Sequence, residues 1–311
     1  TQAMSHRAGL WASKQAPHLP ETFRHRRRRH PCRHRRIKQP PIAAAAIEPP
    51  TSAAIETSTH TVPSGLRLEV LSQRGEMGVA GAGLAAKAPL VFVHGSYHAA
   101  WCWTRFFQHF AGKGRDCFAV SMRGQGGSDV SPGGNTLEDH AADISHFCDE
   151  VTTSHGGCAP VLVGHSFGGL VVQRVLTQAD PPMLAAVALL ASVPPAGNSA
   201  MVRRFLRRDP WGSAKITYAF VAGAFKTNPG LCRQCFFSED LPEAALLDHM
   251  QNIATSSQVR LLDLKALEAS LPIPPPRAGS PPVCVMGGGA DYVVDTAGLE
   301  ETATWAAAGA A

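Results

Sequence analysis

The stretch VLVGHSFGGLVVQ, Val161 to Gln173, sets one serine between glycines two residues away on either side. A short apolar run leads into it and a helical pattern opens near Phe167, so G-x-S-x-G falls between a strand and a helix, where it has meaning. Such a turn lifts Ser166 above the edge of a sheet. Gly164 and Gly168 remove side chains that would collide with the tight backbone, and Gly169 lets the following helix lie close to the sheet. The helix N-terminus adds partial positive charge, with the Phe167 amide as a donor toward a developing oxyanion. The bland alternative is a Gly-Ser turn that only packs.

Outward from this turn, strand and helix patterns alternate. LRLEVLSQRG reads as a first strand, APLVFVHG as a buried parallel strand ending at Gly95, and DCFAVSM as another. TLEDHAADISHFCDEV is a helix with Leu137, Ala141, Ile144, Phe147 and Val151 on one face, opened by a capping box from Thr136 to Asp139. APVLVG and AAVALLASV are further strands. This rhythm predicts a mostly parallel sheet flanked by helices. From about 194 to 281 it breaks into helical patches, LPEAALLDHM and VRLLDLKALEAS, separated by Pro-rich segments, which predicts an inserted helical cap. PVCVMGG then resumes the strand pattern, and DTAGLEETATWAAAGAA reads as a helix.

A second segment able to carry chemistry is HGSYHAAWCW, His94 to Trp103. Gly95 permits a sharp turn after the strand and leaves the amide of Ser96, or alternatively Tyr97, free to complete an oxyanion hole. His94 is expected to bond to loop backbone and His98 to line the pocket; both are also candidate bases.

Taken in order, FVHGSYHAAWCW, SMRGQGGSD, VGHSFGG and VCVMGGGADYVVD resemble the α/β-hydrolase superfamily over residues 88–311. The first motif is similar to that of plant methylesterases and hydroxynitrile lyases, and the whole pattern with its basic leader resembles chloroplast α/β-hydrolases of plants and algae. The resemblance implies a serine hydrolase acting on a small-molecule, isoprenoid or lipid ester in a plastid, with no metal or organic cofactor. It also implies nucleophile, acid and histidine in that chain order. Ser166 is then the nucleophile and Asp291, just after the strand PVCVMGG, the acid. The amides of Ser96 and Phe167 form the oxyanion hole, and His94, Gly95, Tyr97, His98 and His165 surround the substrate. Asp295 is the rival acid, although it could cap the next helix; Asp129 reads as a turn residue.

The histidine is the difficulty. None follows His249, and Asp291 is followed by only 20 residues, whereas a helix and a strand consume about 11 and 5 to 6. The expectation is a fold lacking its last strand and helix, from a shortened sequence or the loss of the base. His249, in the cap, would reach Ser166 only by an unusual geometry, and the His165 side chain is expected to point away from the serine. Two other readings stay open: a ligand-binding pseudoenzyme or receptor, and a lyase on the same scaffold.

Charge separates a leader from the rest. Residues 1–60 hold 11 Lys/Arg against 3 Asp/Glu, whereas 61–311 hold 18 against 21. The Arg-rich, acid-poor leader reads as disordered and as a transit peptide to the chloroplast, with a nucleic-acid or lipid-binding arm as the alternative. The slightly acidic remainder, 61–311, argues against a nucleic-acid partner. The longest apolar run, MLAAVALLASV, is too short to span a bilayer, leaving peripheral contact as the one membrane role. Eight cysteines without regular spacing argue for reduced thiols, and Cys232 and Cys235 have redox or zinc spacing but no second pair.

Overall fold

The computed structural model describes residues 54–76, 87–291 and 293–309. Seven strands form one sheet: β1 (Glu56–Thr61), β2 (Arg67–Gln73), β3 (Leu90–Val93), β4 (Cys117–Val120), β5 (Val161–His165), β6 (Ala186–Leu190) and β7 (Val283–Met286). Their order is β1-β2-β4-β3-β5-β6-β7. The pairs from β4 to β7 are all parallel, while β1 and β2 form an antiparallel hairpin on one side. The hairpin turns at Gly65, whose φ of 84° suits a residue without Cβ.

Strand β1 lies inside the stretch that composition assigns to the leader, ahead of the expected domain start at residue 61. ETSTHT has no apolar alternation because, at the outer edge of the sheet, it buries only His60. What holds it is the ladder to β2, and His60 Nδ1 pairs with Glu150 at 2.7 Å. The leader up to residue 53 lies outside the described residues.

The two faces of the sheet are built by period-two alternation. Val91 and Val93 of β3, with Leu162 of β5, point to the face covered by α2 (Leu137–Ser154) and α3 (Phe167–Leu176). Leu90 and Phe92 point to the opposite face, where Trp103 and Phe107 meet them. Phe107 belongs to α1 (Thr104–Ala111). Helix α2 has the expected capping box: Thr136 Oγ1 accepts from Asp139 N, and Asp139 accepts from Thr136 N, both at 3.1 Å.

Between β6 and β7 the cap comprises α4 (Ser199–Arg208), α5 (Pro210–Ala222), α6 (Pro229–Phe236), α7 (Glu243–Ser256) and α8 (Leu264–Ser270). Helix α8 starts later than the pattern VRLLDLKALEAS suggests. Asp263 caps it by accepting from Lys265 N and Ala266 N, and Leu261 and Leu262 are buried in coil before it. The cap has its own core of Phe205, Ile216, Phe225, Leu246 and Ile253, against which Tyr97 and Trp101 of the body pack. Cys232 and Cys235 are free thiols within this core, each pushed up to about 11 by burial, so neither is a ready thiolate. The last described element is α9 (Thr296–Ala307). None of the described helices is long and apolar enough to cross a membrane.

Candidate active site

The C-terminal ends of β3, β5, β6 and β7 lie level, since Val93 pairs with Gly164, Gly164 with Leu189, and Leu190 with Met286. The loops that leave these ends therefore meet at one edge, the usual ligand edge of an open α/β sheet. Ser166 sits there between β5 and α3 with φ 55° and ψ −123°, a left-handed conformation unusual for a residue with a Cβ. Such a conformation costs about 1–3 kcal/mol and must be held from outside. Strand β6 and its exit hold it: Ser166 N donates to Leu190 O at 3.2 Å, and Ser166 O accepts from Val193 N at 3.1 Å.

The space around the turn explains its glycines. A Cβ on Gly168 would stand 2.3 Å from the His94 carbonyl oxygen and 2.6 Å from that of Val93, both backbone atoms with nowhere to go. One on Gly95 would meet the Ser166 Cβ at 2.8 Å, so the loop after β3 is pressed directly against the serine. Gly169 is packed in the same way against Ser192, which lets α3 lie on the sheet. Among the described residues, the backbone N–H groups of Phe167 and Ser96 donate to no protein acceptor. The Tyr97 amide is unpaired too.

The histidines divide by environment. His94 is fully buried and bonds to loop backbone, as expected of it. Its Nδ1–H donates to Gly95 O at 2.8 Å and its Nε2 accepts from Met122 N at 3.0 Å, so both nitrogens are spent on backbone. Tyr97 packs against the cap, where its ring stacks on Phe220 at 5.6 Å and its hydroxyl donates to Phe220 O at 3.5 Å. His98 bonds through Nδ1 to Ser96 O at 2.9 Å and stacks on Trp101 at 5.5 Å. The His165 ring stands edge-on to His98 at 6.5 Å and to Trp103 at 6.4 Å, beside the Gly95 loop. His249, on α7, is sandwiched between Trp101 at 6.0 Å and Phe237 at 5.3 Å. Among the described residues, no histidine is hydrogen-bonded to Ser166 or to Asp291.

Asp291 lies in the turn after β7, and its carboxylate accepts from Val293 N at 2.8 Å and Val294 N at 2.9 Å. Asp295 is the cap of α9, accepting from Gly298 N at 3.0 Å and pairing with Arg204 through two bonds of 2.7 Å, which hold its carboxyl below the usual range. Asp129 ties its loop to β2 through the Arg67 backbone and guanidinium. Sequence reasoning did not find the aromatic cluster of the cap, Phe220, Phe225, Phe236 and Phe237, which packs on Tyr97 and His98. These rings come from several cap elements and share no single periodicity.

Burial fixes the charge of this histidine cluster. It pushes His94 down to about 3, against the opposing pull of the Gly95 carbonyl, and His98 down to about 4; His140 and His165 are lowered for the same reason. Below pH about 6.5 the unfolded chain therefore binds more protons than the folded one, so the stability these groups contribute is complete above that pH and is lost as pH falls. His94 alone is expected to cost about 2 kcal/mol between pH 6.5 and 5. Urea unfolding across that interval should show the decline, with a shallower slope in His94→Asn. Equal slopes for the two proteins would contradict a neutral, buried His94.

A strained serine at a strand–helix turn, on the carboxyl edge of this sheet and under a helical cap, places the molecule among the α/β hydrolases. The chain belongs to the Alpha/beta hydrolase family, which it matches over residues 90–311. It is 33% identical over 121 residues to "Probable esterase PIR7A" of Oryza sativa subsp. indica, covering 38% of this chain and 45% of that one. It is 31% identical over 150 residues to "Carbendazim hydrolyzing esterase" of Nocardioides sp. (strain SG-4G), covering 46% of this chain and 58% of the relative. The chain thus spans about half the length of the curated relatives it matches. Epoxide hydrolase VrEH1 from Vigna radiata shares the fold, with a TM-score of 0.53 and 20% identity over 81% of this chain and 85% of that one.

Proposed function

We propose that the chain is a serine esterase acting on a small-molecule, isoprenoid or lipid carboxylic ester. The observation that carries this reading is the Ser166 turn, held at positive φ beside two amides that have no partner among the described residues. Ser166 Oγ attacks the acyl carbonyl carbon as its proton passes to a base, and the Phe167 and Ser96 amides take the oxyanion. The tetrahedral intermediate expels the alcohol, which takes up that proton, and water then releases the acyl group as a carboxylic acid. Asp291 is the acid that would orient a histidine base and stabilise its protonated form. The esterase names of the rice and Nocardioides relatives fit this chemistry.

A second reading, a ligand-binding relative without turnover, is favoured by one specific feature. No histidine among the described residues bonds to Ser166. A site with a nucleophile and oxyanion donors but no base should respond to a base supplied from solution. Hydrolysis of a short-chain nitrophenyl ester by the 311-residue chain is expected to rise with added imidazole, beyond imidazole's own reaction, and this increment should vanish in Ser166→Ala. Absence of any Ser166-dependent increment with a slow basal rate would favour the ligand-binding reading. A fast rate indifferent to imidazole would return His98 or His249 to consideration as the base.

A further inference from the structure

Helices α4 and α5 turn an unusual surface outward. Helix α4 buries Met201 and Phe205 and exposes Val202 and Leu206; α5 buries Ser213, Ile216 and Ala219 and exposes Trp211, Tyr218 and Val221. Trp211 is 87% exposed and Val221 84%. Of the thirteen exposed large apolar side chains among the described residues, five fall between Ser199 and Ala222, so this is a concentration and not the usual scatter.

Charge identifies the partner. The same stretch carries Arg203, Arg204, Arg207, Arg208 and Lys215 against the single acid Asp209. Arg204 is engaged with Asp295, and Arg208 lies over the Phe205 ring. Arg203, Arg207 and Lys215 are exposed and form no ion pair with a described residue. Residues 61–311 as a whole are slightly acidic, so the basic patch gives the molecule an electrostatic orientation. Tryptophan and tyrosine favour the headgroup level of a bilayer, aliphatic side chains enter just below it, and arginine and lysine are drawn to anionic lipid. We infer that the outward faces of α4 and α5 dock this protein on an anionic phospholipid surface. Helix α5 also accepts the Tyr97 hydroxyl at Phe220 O, so the docking helix is bonded to the loop that carries Ser96.

The test uses the full chain and vesicles of phosphatidylcholine with and without phosphatidylglycerol, read by co-sedimentation and by quenching of tryptophan fluorescence with brominated lipid. Binding is expected to need the anionic lipid, and Arg203→Gln/Arg207→Gln to weaken it about ten- to thirtyfold. Trp211→Phe should remove most of the quenching, because Trp103 and Trp305 are buried and Trp101 is half-buried against the cap core. Unchanged binding in the arginine variant together with undiminished quenching in Trp211→Phe would assign lipid contact to the Arg-rich leader and overturn the proposal. A lipid-independent dimer that dissociates on Trp211→Ser/Val221→Ser would overturn it in favour of a second copy as the occupant.

Discussion

Ser166→Ala is expected to lose all covalent reaction with a fluorophosphonate probe, whereas the parent chain forms one adduct per molecule. Adduct formation joins the Ser166 oxygen to phosphorus, expels fluoride and passes the hydroxyl proton to a base, and because it marks the reacting atom itself it reads the Ser166 turn directly. Turnover is a poorer measure, because triad members act as a unit: where no base serves the serine, removing the serine as well costs little more. Only about 10³ to 10⁴-fold catalysis over water is then left, from oxyanion donors and binding. Adduct formation by the alanine variant at the parent rate would move the reactive group elsewhere.

The second large effect concerns the support of the sheet and not its chemistry. Arg123, in the loop after β4, is 7% exposed and bonds to Asp143 of α2, itself 5% exposed, through Nε and through Nη2 at 2.8 Å. The guanidinium also reaches Asp139 at 3.3 Å. Removing one partner of a buried pair strands the other, so Asp143→Ala is expected to destabilise the fold by about 3–5 kcal/mol. In a domain of this size that is roughly a 10 °C fall in Tm. The double variant Arg123→Met/Asp143→Leu should recover most of the loss, since an apolar pair leaves no buried charge. Breaking the exposed Arg67–Asp129 pair should have no measurable effect. If Asp143→Ala falls no further than that surface control, the buried pair is not what fastens the β4 loop to α2.

The parts of the fold legible in the sequence were those whose physics is local. Helix α2 declared itself by a capping box and a single apolar face, and Ser166 by the spacing of its flanking glycines between a strand and a helix. Strand β1 was hidden because an edge strand that buries one histidine has no apolar alternation to read. Arg123 and its role went unread, since nothing near it in sequence announces Asp143 twenty residues on. His94 and Tyr97 share one motif but are held by different parts of the fold. One is drawn into the backbone of the β3 and β4 loops, and the other into the cap. Those partners, Met122 and Phe220, are set by tertiary packing, which motif position does not encode. Asp291 rested on the family resemblance and on its place just after a strand, and Asp295, read as a possible helix cap, does cap α9 while holding Arg204.

The central claim is that Ser166 is an acyl-accepting nucleophile. Its most direct test is to mix the 311-residue chain with nitrophenyl acetate, quench in acid before the acyl group is lost, and map the acetylated peptide by mass spectrometry. The account predicts acetyl on Ser166, accumulating with nitrophenol release and absent from Ser166→Ala. Acetyl carried by a histidine, lysine or cysteine, with Ser166 unmodified at every time point, would contradict it.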